Sequence, residues 1–203
     1  MRGKGLSYNL IIETATNLVK ENGYGSFTMR ELAAQMNVRA ASLYKHISGI
    51  EEVNLEIGKN AAALLKQRLT DACAGKEREA TVIAAGTAFR DFAKQEAQLY
   101  HAILAMPSLT QDDDTLDAAR EGFAPLTNIV RQYDIPPEMA VHLARCYRSA
   151  LHGFIAQQEA GYFTNSAVNV ADSFRILLRN FVFLLNAAEL GSLAGKSPEA
   201  DHH

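Results

Sequence analysis

Residues 27–47 read FTMRELAAQMNVRAASLYKHI, and this stretch decides how the rest of the chain is interpreted. It predicts two short helices joined by a tight turn. Thr28 is a favourable N-cap, and Glu31 three residues later completes a capping box at the start of the first helix. Asn37 tolerates a positive φ and is placed to end that helix. The stretch therefore predicts a compact helical hairpin.

The second helix of this pair combines a buried side with an exposed side of unusual composition. Leu43 and Ile47 are four residues apart and predict the buried side. The outward positions are small, polar or basic: Arg39, Ala40, Ser42 and Lys45. Such a helix fits the major groove of DNA, which admits one helix and displays a readable pattern of base edges. The alternative is an ordinary helical hairpin in an all-α protein.

These motifs resemble the N-terminal domain of the TetR/AcrR transcriptional regulators. The resemblance spans about residues 8–55 and rests on Ile12-Glu13-x-Ala15-x-x-Leu18, Gly23, residues 27–33, Val38 and residues 41–47. A second stretch, about 145–185, resembles the WHG-type C-terminal domain of a subset of that family. It rests on residues 150–154 (ALHGF), Glu159-x-Gly161-Tyr162-Phe163 and Ser173-Phe174. Residues 56–144 match no family pattern.

The resemblance implies which side chains contact DNA. The position of Arg30 can touch a base, and Arg30 has the geometry to reach guanine O6 and N7. The positions of Thr28, Tyr44 and His46 meet phosphates. The whole predicted set is Thr28, Arg30, Arg39, Ala40, Ser42, Tyr44, Lys45 and His46, with Arg39, Ala40 and Ser42 as the specificity positions. The alternatives are core packing for Tyr44 and a plain solvated face for Arg39 and Lys45.

One position departs from the family pattern. Family members usually carry a phosphate-binding lysine at the start of the next helix, and Ile50 holds that place here. Backbone amides at the helix N-terminus would still attract a phosphate. Glu51 and Glu52 suit the helix dipole but oppose the charge of DNA. The departure predicts modest DNA affinity.

Composition is that of a globular protein, with 48% hydrophobic and 21% charged residues among 203. Residues 1–47 carry six basic and three acidic side chains, a net charge of +3, whereas the remainder carries −6. This asymmetry fits DNA contact at one end only, although imbalances of this size also arise by chance. Only two cysteines are present, Cys73 and Cys146, which favours a reducing cytoplasm. No signal peptide, membrane span, metal-ligand spacing, cofactor motif or catalytic constellation is predicted.

The sequence predicts an all-α fold of about nine helices. Residues 1–50 form a three-helix helix-turn-helix domain, 51–190 a ligand-binding and dimerisation domain, and 191–203 a disordered tail. Ser7 and Gly23 bound the first helix. The later helices are predicted at about 50–72, 77–104, 115–132 (kinked or divided at Pro125), 137–160 and 167–189. A mobile loop is predicted from Pro107 to Asp114.

Two apolar sets are predicted for the larger domain. The lining of an effector pocket is assigned to Phe89, Phe92, Tyr100, Met106, Phe123, Tyr147 and Leu151, and the alternative is that most of these are plain core. Nearby polar groups that would orient a ligand are His101, His142, Arg145 and His152. The dimer interface, a four-helix bundle of the two last long helices and their twins, is assigned to Phe154, Ile155, Phe174, Leu177, Phe181 and Leu184, with Ile176 adding apolar surface.

Three functions are compatible with these features. The first is a homodimeric repressor that binds a pseudo-palindromic operator and is released by a small molecule. The second is a ligand- or partner-binding protein with weakened or lost DNA binding, motivated by Ile50. The third is a small all-α enzyme, which no catalytic constellation supports.

Overall fold

A computed structural model describes residues 6–195, with side chains through Ser192. Within that range the chain is helical and contains no strand, as predicted. The helices are α1 (Tyr8–Asn22), α2 (Met29–Gln35), α3 (Ala40–Leu43), α4 (Ile50–Cys73), α5 (Arg78–Gln95), α6 (Ala97–Leu109), α7 (Asp113–Gly122), α8 (Ala124–Val130), α9 (Pro137–Glu159) and α10 (Val170–Gly195).

Local capping signals set the bounds of α1. The Ser7 side chain accepts a hydrogen bond from the Leu10 amide at 3.3 Å. Gly23 ends the helix with a φ of 103°, and its amide donates to the Val19 carbonyl at 2.9 Å. A φ of 103° with a ψ of 155° is readily adopted only by glycine, so both predicted ends of α1 are confirmed.

The chain divides into two compact units. The first contains residues up to Lys66 together with Phe92–Gly122, and the second contains Gln67–Asp91 and the chain from Phe123 onward. This division differs from the predicted boundary at residue 50, because elements from the middle of the chain pack with α1. Which residues bind DNA is a separate question, so the functional boundary stays a prediction.

In the first unit, the start of α6 is joined to the end of α1. Lys20 forms an ion pair with Glu96 at 2.9 Å. The Tyr24 amide donates to Oε1 of Gln98 at 2.7 Å. These contacts connect residues that are far apart in the sequence, and no local sequence pattern predicts them.

In the second unit, α9 and α10 pack antiparallel through their aromatic side chains. The Tyr147 ring stacks on Phe181 with centroids 4.3 Å apart, and the Phe154 ring lies 5.0 Å from that of Phe174. Gly86 of α5 makes room for this pair of helices, because a Cβ there would lie 2.6 Å from the Tyr147 hydroxyl. That hydroxyl is buried and donates to the Val82 carbonyl at 2.6 Å.

Three predictions about element bounds need correction. The predicted helix over 77–104 is two helices, because the backbone of Glu96 (φ −120°, ψ 42°) leaves the helical region. The predicted loop from 107 to 114 is shorter, since α6 continues through Pro107 and α7 begins at Asp113. The three aspartates at 112–114, inside the predicted loop, instead mark the start of α7, where Asp112 accepts from the Thr115 amide at 2.9 Å.

The C-terminal helix is also longer than predicted. Gly191 lies inside α10 and does not end it, because a glycine ends a helix only where the chain turns to positive φ. The predicted disordered tail is therefore helical from 191 to 195, and residues 196–203 lie outside the described part of the chain. Pro125 does divide the predicted 115–132 helix, because it stands in the first turn of α8.

Candidate functional site

Helix α2 begins with the predicted capping box. The Thr28 hydroxyl accepts from the Glu31 amide at 3.3 Å, and the Thr28 amide donates to Oε2 of Glu31 at 2.7 Å. The same hydroxyl also donates to this carboxylate oxygen at 2.9 Å. The Thr28 hydroxyl therefore uses its proton in the bond to Glu31 and serves as the N-cap of α2.

The turn after α2 has a defined geometry. Asn37 adopts a φ of 53°, as predicted. The Val38 amide donates to the Ala33 carbonyl at 2.9 Å, and the Asn37 amide donates to the Ala34 carbonyl at 3.0 Å. This pair of bonds is the Schellman motif, which satisfies carbonyls at the end of a helix and sends the chain off at a fixed angle. The direction of α3 is therefore set by the last turn of α2.

Helix α3 is shorter than predicted, and its predicted buried side is confirmed. It spans only Ala40–Leu43, and the next residues form a turn in which the His46 and Ile47 amides both donate to the Leu43 carbonyl. Leu43 and Ile47 are buried, with 0% and 4% of their surface exposed. These two side chains anchor the segment and leave the side chains between them at the surface.

The eight predicted DNA contacts lie at or near the surface of the first unit. Six are exposed: Thr28, Arg30, Arg39, Tyr44, Lys45 and His46. Ala40 and Ser42 are half-buried. Tyr44 is 56% exposed, so core packing does not account for its ring. Within residues 6–192, none of the cations Arg30, Arg39 and Lys45 is held in an ion pair.

The start of α4 differs from the expected phosphate site. Ile50 is half-buried. The amide and the hydroxyl of Ser48 both donate to Oε2 of Glu52, at 2.6 and 2.7 Å. These bonds hold the pKa of the Glu52 carboxyl below its usual range, so it stays ionised at neutral pH. The Ser48 amide is therefore occupied, and only amides further along are left for a phosphate.

The seven predicted effector residues are all buried, and they belong to both compact units. Phe92, Tyr100 and Met106 are core residues of the first unit. The other four are core residues of the second unit: Phe89, Phe123, Tyr147 and Leu151. Of the polar groups, His142 and Arg145 are exposed, and His101 is half-buried.

His152 is the polar group that contacts the predicted aromatic residues of the second unit. Its ring centroid is 5.1 Å from that of Phe89 and 5.5 Å from that of Phe123. Burial, with the charge of Arg148 as a second cause, lowers the pKa of His152 to about 4. The guanidinium of Arg148 stacks over Phe123 at 4.6 Å. A neutral imidazole among aromatic rings provides one hydrogen-bond donor and one acceptor in an apolar setting.

The predicted dimer interface stays a prediction, but several of its residues are already buried within a single chain. Ile155, Phe174 and Phe181 are only 2%, 3% and 7% exposed within a single chain. Leu177 and Phe154 are half-buried, and Leu184 is 42% exposed. The apolar face of α10 that remains open is therefore a neighbouring face of the helix.

Two residues of that open face were missed by the sequence analysis. Phe183 is 75% exposed and Leu190 is 68% exposed, and both lie in line with Ile176, which is 58% exposed. Their spacing of seven residues was the available signal. A groove of about 490 Å³ lies between α9 and α10 and includes Ile176 of this face. Its lining is Cys146, Ala150, Phe154, Ser173, Ile176, Leu177, Asn180, Phe181 and Leu184.

Within the described residues, no helix is both long and apolar enough to span a membrane. No group of three or more His, Cys, Asp or Glu side chains there is arranged to hold a metal ion.

Both the N-terminal and the C-terminal part of the chain match known protein families. Residues 11–57 match the family described as "Bacterial regulatory proteins, tetR family". Residues 82–181 match the family described as "Tetracyclin repressor-like, C-terminal domain". The second match extends the C-terminal resemblance well before residue 145, into a region with no pattern recognisable from the sequence.

Curated relatives carry the same designation. The chain is 28% identical to the HTH-type transcriptional regulator Rv0681 of Mycobacterium tuberculosis over 77% of its own length and 72% of the relative. It is 26% identical to the HTH-type transcriptional regulator YobS of Bacillus subtilis over 74% of its own length and 78% of the relative.

Solved structures show the same fold at lower identity. A protein of unknown function from Rhodococcus sp. RHA1 superposes with a TM-score of 0.77 at 17% identity, covering 90% of this chain and 98% of its own. A single-residue variant of TetR from Acinetobacter baumannii AYE, in complex with minocycline, gives a TM-score of 0.63 at 17% identity over 91% and 98%. The two family matches together cover most of the sequence, and the chain therefore belongs to the TetR family of DNA-binding transcriptional regulators.

Proposed function

We propose that this protein is a ligand-responsive transcriptional repressor that binds a pseudo-palindromic operator as a homodimer. The observation that supports it most is the pair of exposed cations at the two ends of the α3 segment, Arg39 and Lys45, neither of which is held in an ion pair within residues 6–192. Cations held in internal ion pairs would have to break them before neutralising phosphates. Here no ion pair has to be broken when DNA is bound.

The proposed docking places α3 in the major groove. Arg39, Ala40 and Ser42 at its start read base edges, because the N-terminal residues of a recognition helix contact the bases. Arg30 of α2 adds a base contact from the adjacent helix. Tyr44, Lys45 and His46 follow the helix and meet phosphates, which fix the register of the protein and supply salt-dependent affinity.

The proposed dimer uses the open face of α10. Ile176, Phe183 and Leu184 expose apolar surface beside the groove with α9. Monomeric proteins rarely expose a large contiguous patch of this kind. Two half-sites one helical turn of DNA apart require the two α3 helices of such a dimer to lie about 34–36 Å apart.

The proposed effector is a small molecule that binds the helical domain. The proposed lining is the four assigned residues of the second unit, Phe89, Phe123, Tyr147 and Leu151, with His152 of the same unit orienting a polar group. That a protein of the same fold was solved with minocycline supports a small organic effector without naming it. An effector that prefers the conformation unable to bind DNA must lower operator affinity by the same factor as DNA lowers effector affinity. Helix α4 contributes residues to both compact units, and it is the element proposed to transmit the effect of the ligand to the DNA-binding helices.

The experiment is selection of bound fragments from the genomic DNA of the source organism by the purified full chain, followed by sequencing. The proposal expects enrichment of a pseudo-palindrome with half-sites about 10–10.5 base pairs apart. The Arg39→Ala/Lys45→Ala double variant should lose the enrichment. Arg131→Ala, which removes an exposed cation outside the helix-turn-helix, should keep it.

A second candidate is a ligand- or partner-binding protein with lost DNA affinity. It is favoured by Ile50 at the position of the family lysine and by the occupation of the Ser48 amide by Glu52. No enriched sequence, together with helical content and dimerisation unchanged, would support this candidate against the first.

A further inference from the structure

One row of residues on α10 has the spacing of a helix–helix seam. Ile176, Asn180, Phe183, Ala187 and Leu190 follow one another at intervals of four, three, four and three residues. All five are exposed. This is the alternation that keeps one stripe of a helix against a neighbouring helix. Within the described chain nothing covers the stripe.

Asn180 is the polar exception in this row. It lines the groove between α9 and α10 among the apolar side chains of Ile176, Leu177 and Leu184. Within residues 6–192 its amide has no hydrogen-bond partner. In the single chain, solvent can satisfy this exposed amide. In a dimer that covers this face, the amide would need a partner from the second copy, since a buried unpaired amide is strongly unfavourable.

We propose that Asn180 lies at the two-fold axis of the dimer and that its amide pairs with the same amide of a second copy. This inference rests on the proposed homodimer through α10. A carboxamide is both donor and acceptor, so two copies related by a two-fold axis satisfy each other. The other polar side chain of α10 in the groove, Ser173, is seven residues away, which is about 10 Å along the helix.

The position of Asn180 within the groove supports the axis. The groove-lining residues of α10 run from Ser173 to Leu184, so Asn180 lies close to the middle of the groove. In a two-fold interface each residue meets a symmetry-related position, and only a residue at the axis meets itself. Large apolar side chains flank it on both sides, as Ile176 and Phe183.

The consequence is that Asn180 selects the partner. A dimer shifted by one turn, or one with a different chain that has an apolar residue there, would bury the amide unpaired. A single polar residue in an apolar seam fixes register and oligomeric state in this way, at some loss of affinity. Asn180 therefore gives the chain its preference for an identical copy in one register.

The test is a charge exchange at position 180 in the full-length chain. Asn180→Asp and Asn180→Lys each place like charges together, so each variant alone should self-associate at least about tenfold more weakly than the wild type. An equimolar mixture should form heterodimers, because the opposite charges then face each other. Native mass spectrometry distinguishes the heterodimer by mass, and sedimentation velocity gives the association constants.

Matched controls use the same substitutions at an exposed asparagine of α8. Asn128→Asp and Asn128→Lys should leave self-association within about twofold of the wild type, and their mixture should give a statistical distribution of dimers. Ile176→Asp, one turn before Asn180, should give monomers that do not recover in mixtures with either charge variant.

Two contrary results have different meanings. If Ile176→Asp gives monomers but the Asp and Lys variants at position 180 do not form heterodimers preferentially, α10 forms the interface and the axis lies elsewhere, which overturns this inference alone. If Ile176→Asp and both variants at position 180 remain dimers of wild-type affinity, the proposed α10 interface itself is overturned.

Discussion

The protonation of a single side chain, His152, affects the stability of the second unit. The imidazole lies against Phe89 and Phe123, where the charged form is poorly solvated, and its pKa falls to about 4. In the unfolded chain the same group titrates near pH 6.5. Between these two values the unfolded state binds a proton that the folded state does not. Acid therefore favours unfolding through this one residue.

We predict that the free energy of unfolding falls by about 2 kcal/mol from pH 7.5 to pH 5 because of His152. The stability that His152 contributes is complete above about pH 6.5 and is lost as the pH falls toward 4. Urea unfolding at the two pH values measures the loss, and the difference between the wild type and His152→Gln isolates this residue from other titrating groups. Equal pH dependence of the two proteins would contradict the assignment.

The sequence predicts residue roles well where the controlling contacts are local. Thr28, Glu31 and Asn37 act within four positions of their partners, and all three adopt the predicted conformations. Phe174 and Phe181 show the limit. Their spacing of seven residues correctly places them on one face, but which face turns toward the chain itself depends on how α9 packs, and that contact is not local.

At the level of the helices, the two ends of α1 and the start of α2 are predictable, because Ser7, Gly23 and Thr28 cap them. The break at Glu96 was not, because it has no glycine or proline and the nearby contacts are long-range ones, Glu96 with Lys20 and Gln98 with Tyr24. The run 112–114 was misassigned to a loop because acidic residues are typical both of loops and of helix N-termini. The shortness of α3 also followed no sequence signal.

The start of α4 yields a prediction about phosphate binding. Ile50→Lys places a cation at the family's lysine position and should tighten operator binding. The slope of log affinity against log salt should steepen by about one unit per half-site, because each subunit releases one more counterion from the DNA. Fluorescence anisotropy over a salt series measures both quantities. Ile50→Gln is the uncharged control, and an identical slope for Lys and Gln would mean that this position does not face the backbone.

For the whole molecule, the open face of α10 predicts how the dimer is broken. Phe183→Asp should give monomers, because it places a charge on a side chain that is 75% exposed in the single chain and would be covered in the proposed dimer. Operator affinity should fall with it, since two half-sites are no longer bound together. Analytical ultracentrifugation gives the oligomeric state, and circular dichroism should show unchanged helical content.

Phe181→Asp is the contrasting variant at the same level of the helix. Because Phe181 is 7% exposed and stacks on Tyr147, a charge there should destabilise the fold of the second unit by several kcal/mol rather than release an intact monomer. A Phe181→Asp protein that is fully folded and monomeric, beside a dimeric Phe183→Asp protein, would return the interface to the face assigned from sequence.

The distribution of charge over the chain agrees with DNA contact through one domain. Residues 1–47 have a net charge of +3 and the remainder −6, so attraction to DNA is confined to the end that carries α3. Family membership makes the protein a DNA-binding regulator. The central claim specific to this chain is that the cations flanking α3 supply its phosphate contacts and base reading.

The most direct test is the salt dependence of binding to the selected operator for the wild type, Lys45→Ala and Arg39→Ala. Lys45→Ala should weaken binding about equally for operator and random DNA and lower the salt slope by about one unit per half-site. Arg39→Ala should weaken operator binding more than random binding. Affinities and slopes equal to those of the wild type in both variants, with normal helical content, would contradict the assignment of α3 as the reading helix.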